Sequence, residues 1–265
     1  MLKFINNITP HTNHKAIFSR LGYKQKQTEV DEKVRKQVTD WIDEAASLIK
    51  LKGVTLECSF EIAIPRSNTT SCHGVGRDIR VAAPRSNTTS CRGVGRDIRV
   101  ADPRSNATSC HGVGRDIRVA DQGKILIYPE TNITEKIEIT SSSFCKFISG
   151  AKKILLMGIT GGKQVMDFIE KEQTENMTKA VTLDAAAGEI VDSGLDYIIS
   201  FYNKELIRKS EKLFSKRFSP GYGDLSIETQ KIFYNLLEME KIGVDITESF
   251  MLIPQKSIIA LTGIV

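Results

Sequence analysis

The stretch 216–265, KRFSPGYGDLSIETQKIFYNLLEMEKIGVDITESFMLIPQKSIIALTGIV, holds every kind of signal from which the fold is built. Its opening, KRFSPGYGDLS, is rich in Gly and Pro and reads as loop. A helix follows over about Ile227–Glu240, with Ile232, Phe233, Leu236 and Leu237 as its apolar face. GVDITESFMLI and KSIIALTGIV read as two closing strands with Pro254 at their turn.

Working outward, the same mixture continues towards the N-terminus. A long helix rich in small residues is expected from Met177 to about Tyr202, with a further basic helix after it. Small residues there permit close approach of a neighbouring element or a ligand. KKILLMG reads as a short buried strand, and GITGGKQVMDFIEK turns from it into a helix. GITGGK lacks the spacing of a phosphate-binding loop and has no Ser or Thr after its Lys, so it reads as a turn. GKILIYPE and TEKIEIT read as strands. VTLECSFEIAI alternates strictly, putting Val54, Leu56, Cys58, Phe60, Ile62 and Ile64 on one face. Before it, Val30, Val34, Val38, Trp41, Ile42, Ala45 and Ile49 recur at helical spacing, with Thr28 and Asp31 at the start and Gly53 as the expected stop. Helices and strands alternate without a regular βαβ order, so the expected class is α+β with mainly antiparallel strands.

Between two of these strands lie three near-identical units, beginning at Pro65, Pro84 and Pro103. The tract 65–121 holds ten Arg against five Asp, a surplus equal to the whole net charge of +5. Each unit offers too few apolar side chains to bury much on stacking. RDIRVA can pair as a strand, while RSNTTS and GVG favour turns or disorder. Cys72–His73 and Cys110–His111 suggest metal, but the middle copy has Cys91–Arg92 and the spacing fits no zinc pattern. Ten Arg would attract a phosphate backbone, yet the tract has no aromatic residue on which bases stack. Asn68, Asn87 and Asn106 sit in glycosylation-type triplets, which carry no meaning in a cytoplasmic chain. The tract therefore reads as a duplicated insertion at a hairpin tip, in a chain whose domain occupies 1–64 and 122–265.

The 265 residues include five Cys, too few for a disulfide framework in a chain this long. No apolar run reaches the roughly 20 residues of a membrane span. The first residues lack the apolar stretch of a signal peptide, so a cytoplasmic location is expected.

The motifs of the quoted stretch carry a resemblance. Arg217-x-x-Pro220-Gly221-Tyr222, ITESF from Ile246 and PQKS from Pro254 resemble the activation domain of cobalamin-dependent methionine synthase, and above all its free-standing forms. FSRLGY (18–23) and VTLDAAAGEIVD (181–192) look like its earlier pieces. The resemblance implies a domain that binds S-adenosylmethionine and presents it to inactive cob(II)alamin. A flavodoxin-like donor would supply one electron. It also implies that cobalamin arrives on a partner subunit, because no Asp-x-His-x-x-Gly ligating motif is present. The long members continue past the closing strands with a Tyr-Tyr pair, which these residues do not contain.

In that role Arg217 would hold the ligand carboxylate bidentately. Gly221 would let backbone approach the ligand, with Phe218 and Pro220 beside it. Tyr222 would lie against the adenine or the sulfonium. Glu189 and Asp184 would balance the sulfonium or amino charge. Two rival readings are a subunit that docks on a corrinoid protein without holding S-adenosylmethionine, and nucleic-acid binding through the repeats.

Overall fold

The alternating stretch VTLECSFEIA forms the strand on which the rest is laid. In a computed structural model of the chain, the described residues are 2–6, 8–9, 11–23, 31–63, 90–91, 98–99, 123–130 and 136–265. In chain order they form β1 (Leu2–Ile5), α1 (His14–Arg20), α2 (Glu32–Leu48), β2 (Lys52–Ala63), β3 (Ser90–Cys91) and β4 (Ile98–Arg99). Next come β5 (Lys124–Pro129), β6 (Ile137–Thr140), α3 (Ser142–Ile148), β7 (Lys153–Thr160), α4 (Lys163–Glu175) and α5 (Met177–Leu206). The last elements are α6 (Thr229–Leu236), β8 (Asp245–Ile246), β9 (Leu252–Ile253) and β10 (Ser257–Ile264).

One sheet runs β10-β7-β2-β5-β6, with β1 also on β2, and every pairing in it is antiparallel. Successive residues of a strand point to opposite faces, so the sheet feeds two apolar layers. Leu155, Met157 and Ile159 of β7 join α2, α4 and α5 on one face. Ile154 and Leu156 of the same strand join Phe144 of α3 and Phe233 of α6 on the other. Helices on both faces of an antiparallel sheet make this an α+β fold, as the mixed pattern implies. The tight packing of α5 explains its small residues: a Cβ on Gly194 would lie 2.3 Å from Ile159 Cδ1. There the neighbour is β7.

The chain divides into two units, 64–122 and the remainder. Within 64–122, β3 and β4 pair antiparallel, Ser90 opposite Arg99 and Cys91 opposite Ile98. That pairing uses the Ile-Arg of one RDIRVA segment. The Cys72–His73 and Cys110–His111 pairs, the three Asn triplets and the expected disorder of the repeats fall outside the described residues, as does Thr28. In the larger unit β2 and β5 pair directly, Ala63 opposite Lys124.

Several expectations need correction. Asp31 itself caps α2, its side chain accepting from the Lys33 N–H. The helix stops at Leu48, and Gly53 lies inside β2, where a Cβ would meet Ile8 and Ile198. No basic helix follows α5. The chain makes a 3-10 turn, Ile207–Lys209, and Ser210 takes a left-handed φ of 55° that ends the helical run. The helix read over about Ile227–Glu240 ends at Leu236, because Glu238 is also left-handed, at φ 48°. GVDITESFMLI is a small hairpin, β8 against β9, because Phe250 at φ 63° turns the backbone and the Thr247 hydroxyl accepts from the Met251 N–H. Glu248 and Ser249 sit in that turn, where the Ser249 hydroxyl meets that of Thr247 at 3.0 Å. Among the described residues, no helix is long and apolar enough to cross a membrane.

Candidate functional site

Past Ser210 the chain runs alongside β10. Lys212 and Val265 exchange both backbone hydrogen bonds at 2.9 Å, Phe214 N–H donates to Gly263 at 2.9 Å, and Phe218 exchanges bonds with Leu261. This fixes the register of Arg217, which faces α5. A turn follows, in which Gly221 at φ +86° donates to the Leu225 carbonyl at 2.9 Å. That backbone region is costly for any residue with a Cβ, which accounts for glycine after Pro220.

Asp192 and Asp196 stand one helical turn apart on α5 and share the Arg217 guanidinium. Nη2 donates to Asp192 Oδ1 at 2.9 Å and Nη1 to Asp196 Oδ1 at 2.5 Å. These three residues form part of the wall of a cavity of about 640 Å³, with Lys216, Pro220, Tyr222, Gln230, Met251 and Gln255 around it. Tyr222 is 62% exposed at its edge, with its ring edge-on to Phe218 at 6.3 Å. Ile258, Ile259 and Ala260 of β10 also line it.

No family model matches the sequence, and no curated protein matches it. Among solved structures, the chain is similar to one described as the crystal structure of the MetH reactivation domain bound to AdoHcy. The TM-score is 0.53 at 14% identity, and the alignment covers 99% of this chain and 78% of that one. The chain shares the fold of the MetH reactivation domain.

Within that reactivation-domain fold the residues singled out from sequence go to different places. Arg217, Pro220 and Tyr222 meet at the cavity, with Gly221 in the adjoining turn. Phe218 packs instead against Phe147 at 5.2 Å and Phe144 at 5.8 Å, and so anchors the segment to α3. Glu189 accepts from Arg20 Nε at 2.6 Å, and Asp184 pairs with Lys256 at 2.8 Å; neither is among the cavity-lining residues. Asp192 and Asp196 were not singled out. On a helix, two acids four residues apart read as a solvated face until Arg217 is seen between them. Among the described residues no group of three or more His, Cys, Asp or Glu is placed to hold a metal.

Asp224 ties the turn to α3. Its carboxylate accepts from the Ser141 hydroxyl at 2.5 Å and from the backbone N–H groups of Ser142 and Ser143 at 2.8 and 2.9 Å. Burial pushes its pKa up, but these hydrogen bonds favour the charged form more strongly and hold it well below the usual carboxylate range. A depressed pKa adds stability above the unfolded value near 4, and that stability is lost as pH falls towards the folded one. Asp224→Ala is expected to cost roughly 1 kcal/mol at pH 7, the scale of a lost helix cap. Its unfolding free energy should also fall less steeply than wild type between about pH 4 and 2. Parallel wild-type and variant curves in urea melts over that range would refute the assignment.

Proposed function

We propose that the chain is the activation subunit of a cobalamin-dependent methionine synthase, binding S-adenosylmethionine for reductive remethylation of cobalamin on a partner protein. The observation that carries this is the cavity lined by Arg217, Asp192, Asp196 and Tyr222, in a chain with the reactivation-domain fold. Its volume of about 640 Å³ falls in the range of small-molecule sites. The residues fit such a ligand: a guanidinium for a carboxylate, acids for an ammonium or sulfonium, an aromatic face for adenine. When bound, S-adenosylmethionine supplies an electrophilic methyl group. The chain's own residues position that ligand; Arg217 fixes one end, and Tyr222 with Pro220 restricts the other at the exposed rim. Cobalamin and a flavodoxin-like electron donor come from partners, and methyltransferase activity belongs to the assembled system.

A second reading has its own observation. Arg217 is already held by two carboxylates, so a ligand carboxylate competes with them. On that reading the subunit docks on a corrinoid protein without holding S-adenosylmethionine.

Calorimetric titration of S-adenosylmethionine into the full chain separates the two. The activation reading expects saturable binding, weakened roughly a hundredfold in Arg217→Ala by loss of charge-assisted hydrogen bonds. Arg217→Lys should fall between, because it keeps the charge and loses the fork. A folded wild-type chain with no saturable binding overturns the activation reading and leaves docking.

A further inference from the structure

We propose that a second cavity, between α2 and the first turns of α5, binds an uncharged bicyclic heteroaromatic ring that carries a lactam edge. The cavity has a volume of about 490 Å³ and shares no residue with the one beside Arg217. Along α5 the two lie about 15 Å apart, counted from Thr182 to Asp192. Occupancy of one does not presuppose occupancy of the other.

Helical spacing builds the walls. Val34, Val38 and Trp41 recur at i, i+4 and i+7 on α2, and Met177 and Val181 at i, i+4 on α5. Each helix therefore turns one apolar stripe towards the gap. Tyr23, past the end of α1, closes a third side, its ring edge-on to Phe18 at 5.5 Å. Val38 is buried, but Val34, Met177 and Val181 are 41%, 61% and 52% exposed. Large apolar side chains left open around a concavity gain by being covered.

Charge narrows the occupant. Among the described residues, no ionisable side chain lines the cavity apart from the Tyr23 phenol. Lys179, which stands between the lining residues of α5, is committed to Glu44 and Glu172 at 3.0 Å each. An ion entering here would lose its hydration and meet no counter-charge. An aliphatic chain would suit the apolar walls but leave two polar groups unused. These are the Gln37 amide and the Thr178 hydroxyl, which have no hydrogen-bond partner among the described residues. A primary amide presents a donor and an acceptor side by side, and a lactam presents the complementary pair. The indole of Trp41 supplies the broad surface against which a flat ring packs. Size agrees, because small molecules occupy cavities of about 300–1,000 Å³.

Trp41 is the only tryptophan in the sequence, so its fluorescence reports on this cavity. The test titrates quinolin-2-one into the full chain, with calorimetry alongside and 2-naphthoate as an anion of similar ring size. Quinolin-2-one should quench Trp41 saturably with a Kd of about 1 mM or below, as expected of so small a ligand. 2-Naphthoate should bind about tenfold more weakly or not at all. Val181→Glu, at an exposed position, should remove quinolin-2-one binding. Gln37→Leu should weaken it about fivefold through loss of the amide pair, and circular dichroism checks that both variants remain folded. No saturable binding of quinolin-2-one overturns the proposal, as does equal binding of the two probes. Unchanged affinity in Gln37→Leu overturns the lactam assignment. Sedimentation velocity is run on the same samples. A wild-type dimer that Val181→Glu dissociates would make this face an interface between copies and overturn the ligand. None of these outcomes depends on whether S-adenosylmethionine binds beside Arg217.

Discussion

Gly263→Val is expected to lower stability by roughly 3 kcal/mol and to carry ligand binding down with it. Gly263 is buried in β10, and a Cβ there would lie 2.5 Å from Cε2 and 2.7 Å from Cδ2 of the Phe214 ring. It would also lie 2.8 Å from the Ala151 Cβ, an atom with no rotamer to change. The ring cannot simply turn away, because it packs edge-on against Phe147 with centroids 5.9 Å apart. The backbone of Phe214 is meanwhile bonded to the Gly263 carbonyl. Relief must come from moving the segment 212–218 off β10, and Arg217 rides on that segment. Urea melts paired with calorimetric titration read both effects. An unchanged midpoint with intact binding would mean that the segment is not held as described.

Phe233→Ala should cost about 4 kcal/mol, in the range for deleting a fully buried phenyl ring. Its helix, α6, has eight residues, too few to persist without tertiary contacts. Phe233 is its deepest anchor in the layer shared with Leu156 and Phe144. One turn earlier, Gln230 lines the cavity and donates from Nε2 to the Phe250 carbonyl at 2.6 Å. Loosening α6 therefore unsettles a cavity wall as well as the core. A fall in melting temperature of roughly 10 °C is expected for a chain of this size. Phe233→Leu should recover most of it, and a Phe233→Ala melt within 2–3 °C of wild type would contradict the packing.

What could be read in advance depended on how local the deciding interactions were. The alternation from Val54 onward, the unbroken apolar run of β7 and the face of Ile232, Phe233 and Leu236 are properties of contiguous residues. They announce strand, buried strand and helix without reference to a partner. The stretch after Leu206 is different. Its Lys, Glu, Leu and Arg residues favour a helix, yet Ser210 and the pairing with β10 impose an extended path. Tertiary hydrogen bonds there outweigh a propensity of tenths of a kcal/mol per residue. The helices α1 and α3 have seven residues each, too short to show a period.

The candidate site stood out in the sequence only through a motif. Arg217, Pro220, Gly221 and Tyr222 are marked by the resemblance of their spacing to the activation-domain motif, and the fold brings Arg217, Pro220 and Tyr222 to one cavity. Asp192 and Asp196 did not stand out, because the meaning of an acid on a helix lies in what it faces. Glu189 and Asp184, chosen from the same helix, illustrate the point: their partners are Arg20, 169 residues away, and Lys256.

β10 is the outermost strand of the sheet order, and it is rich in Ile, Leu and Ala. An open strand of that composition is a template for aggregation with a second chain. Here the free side is covered by the residues between Lys212 and Phe218. The backbone that presents Arg217 thus doubles as a guard against self-association. On the proposed binding role of Arg217, ligand recognition and protection of this sheet edge would rest on the same few residues.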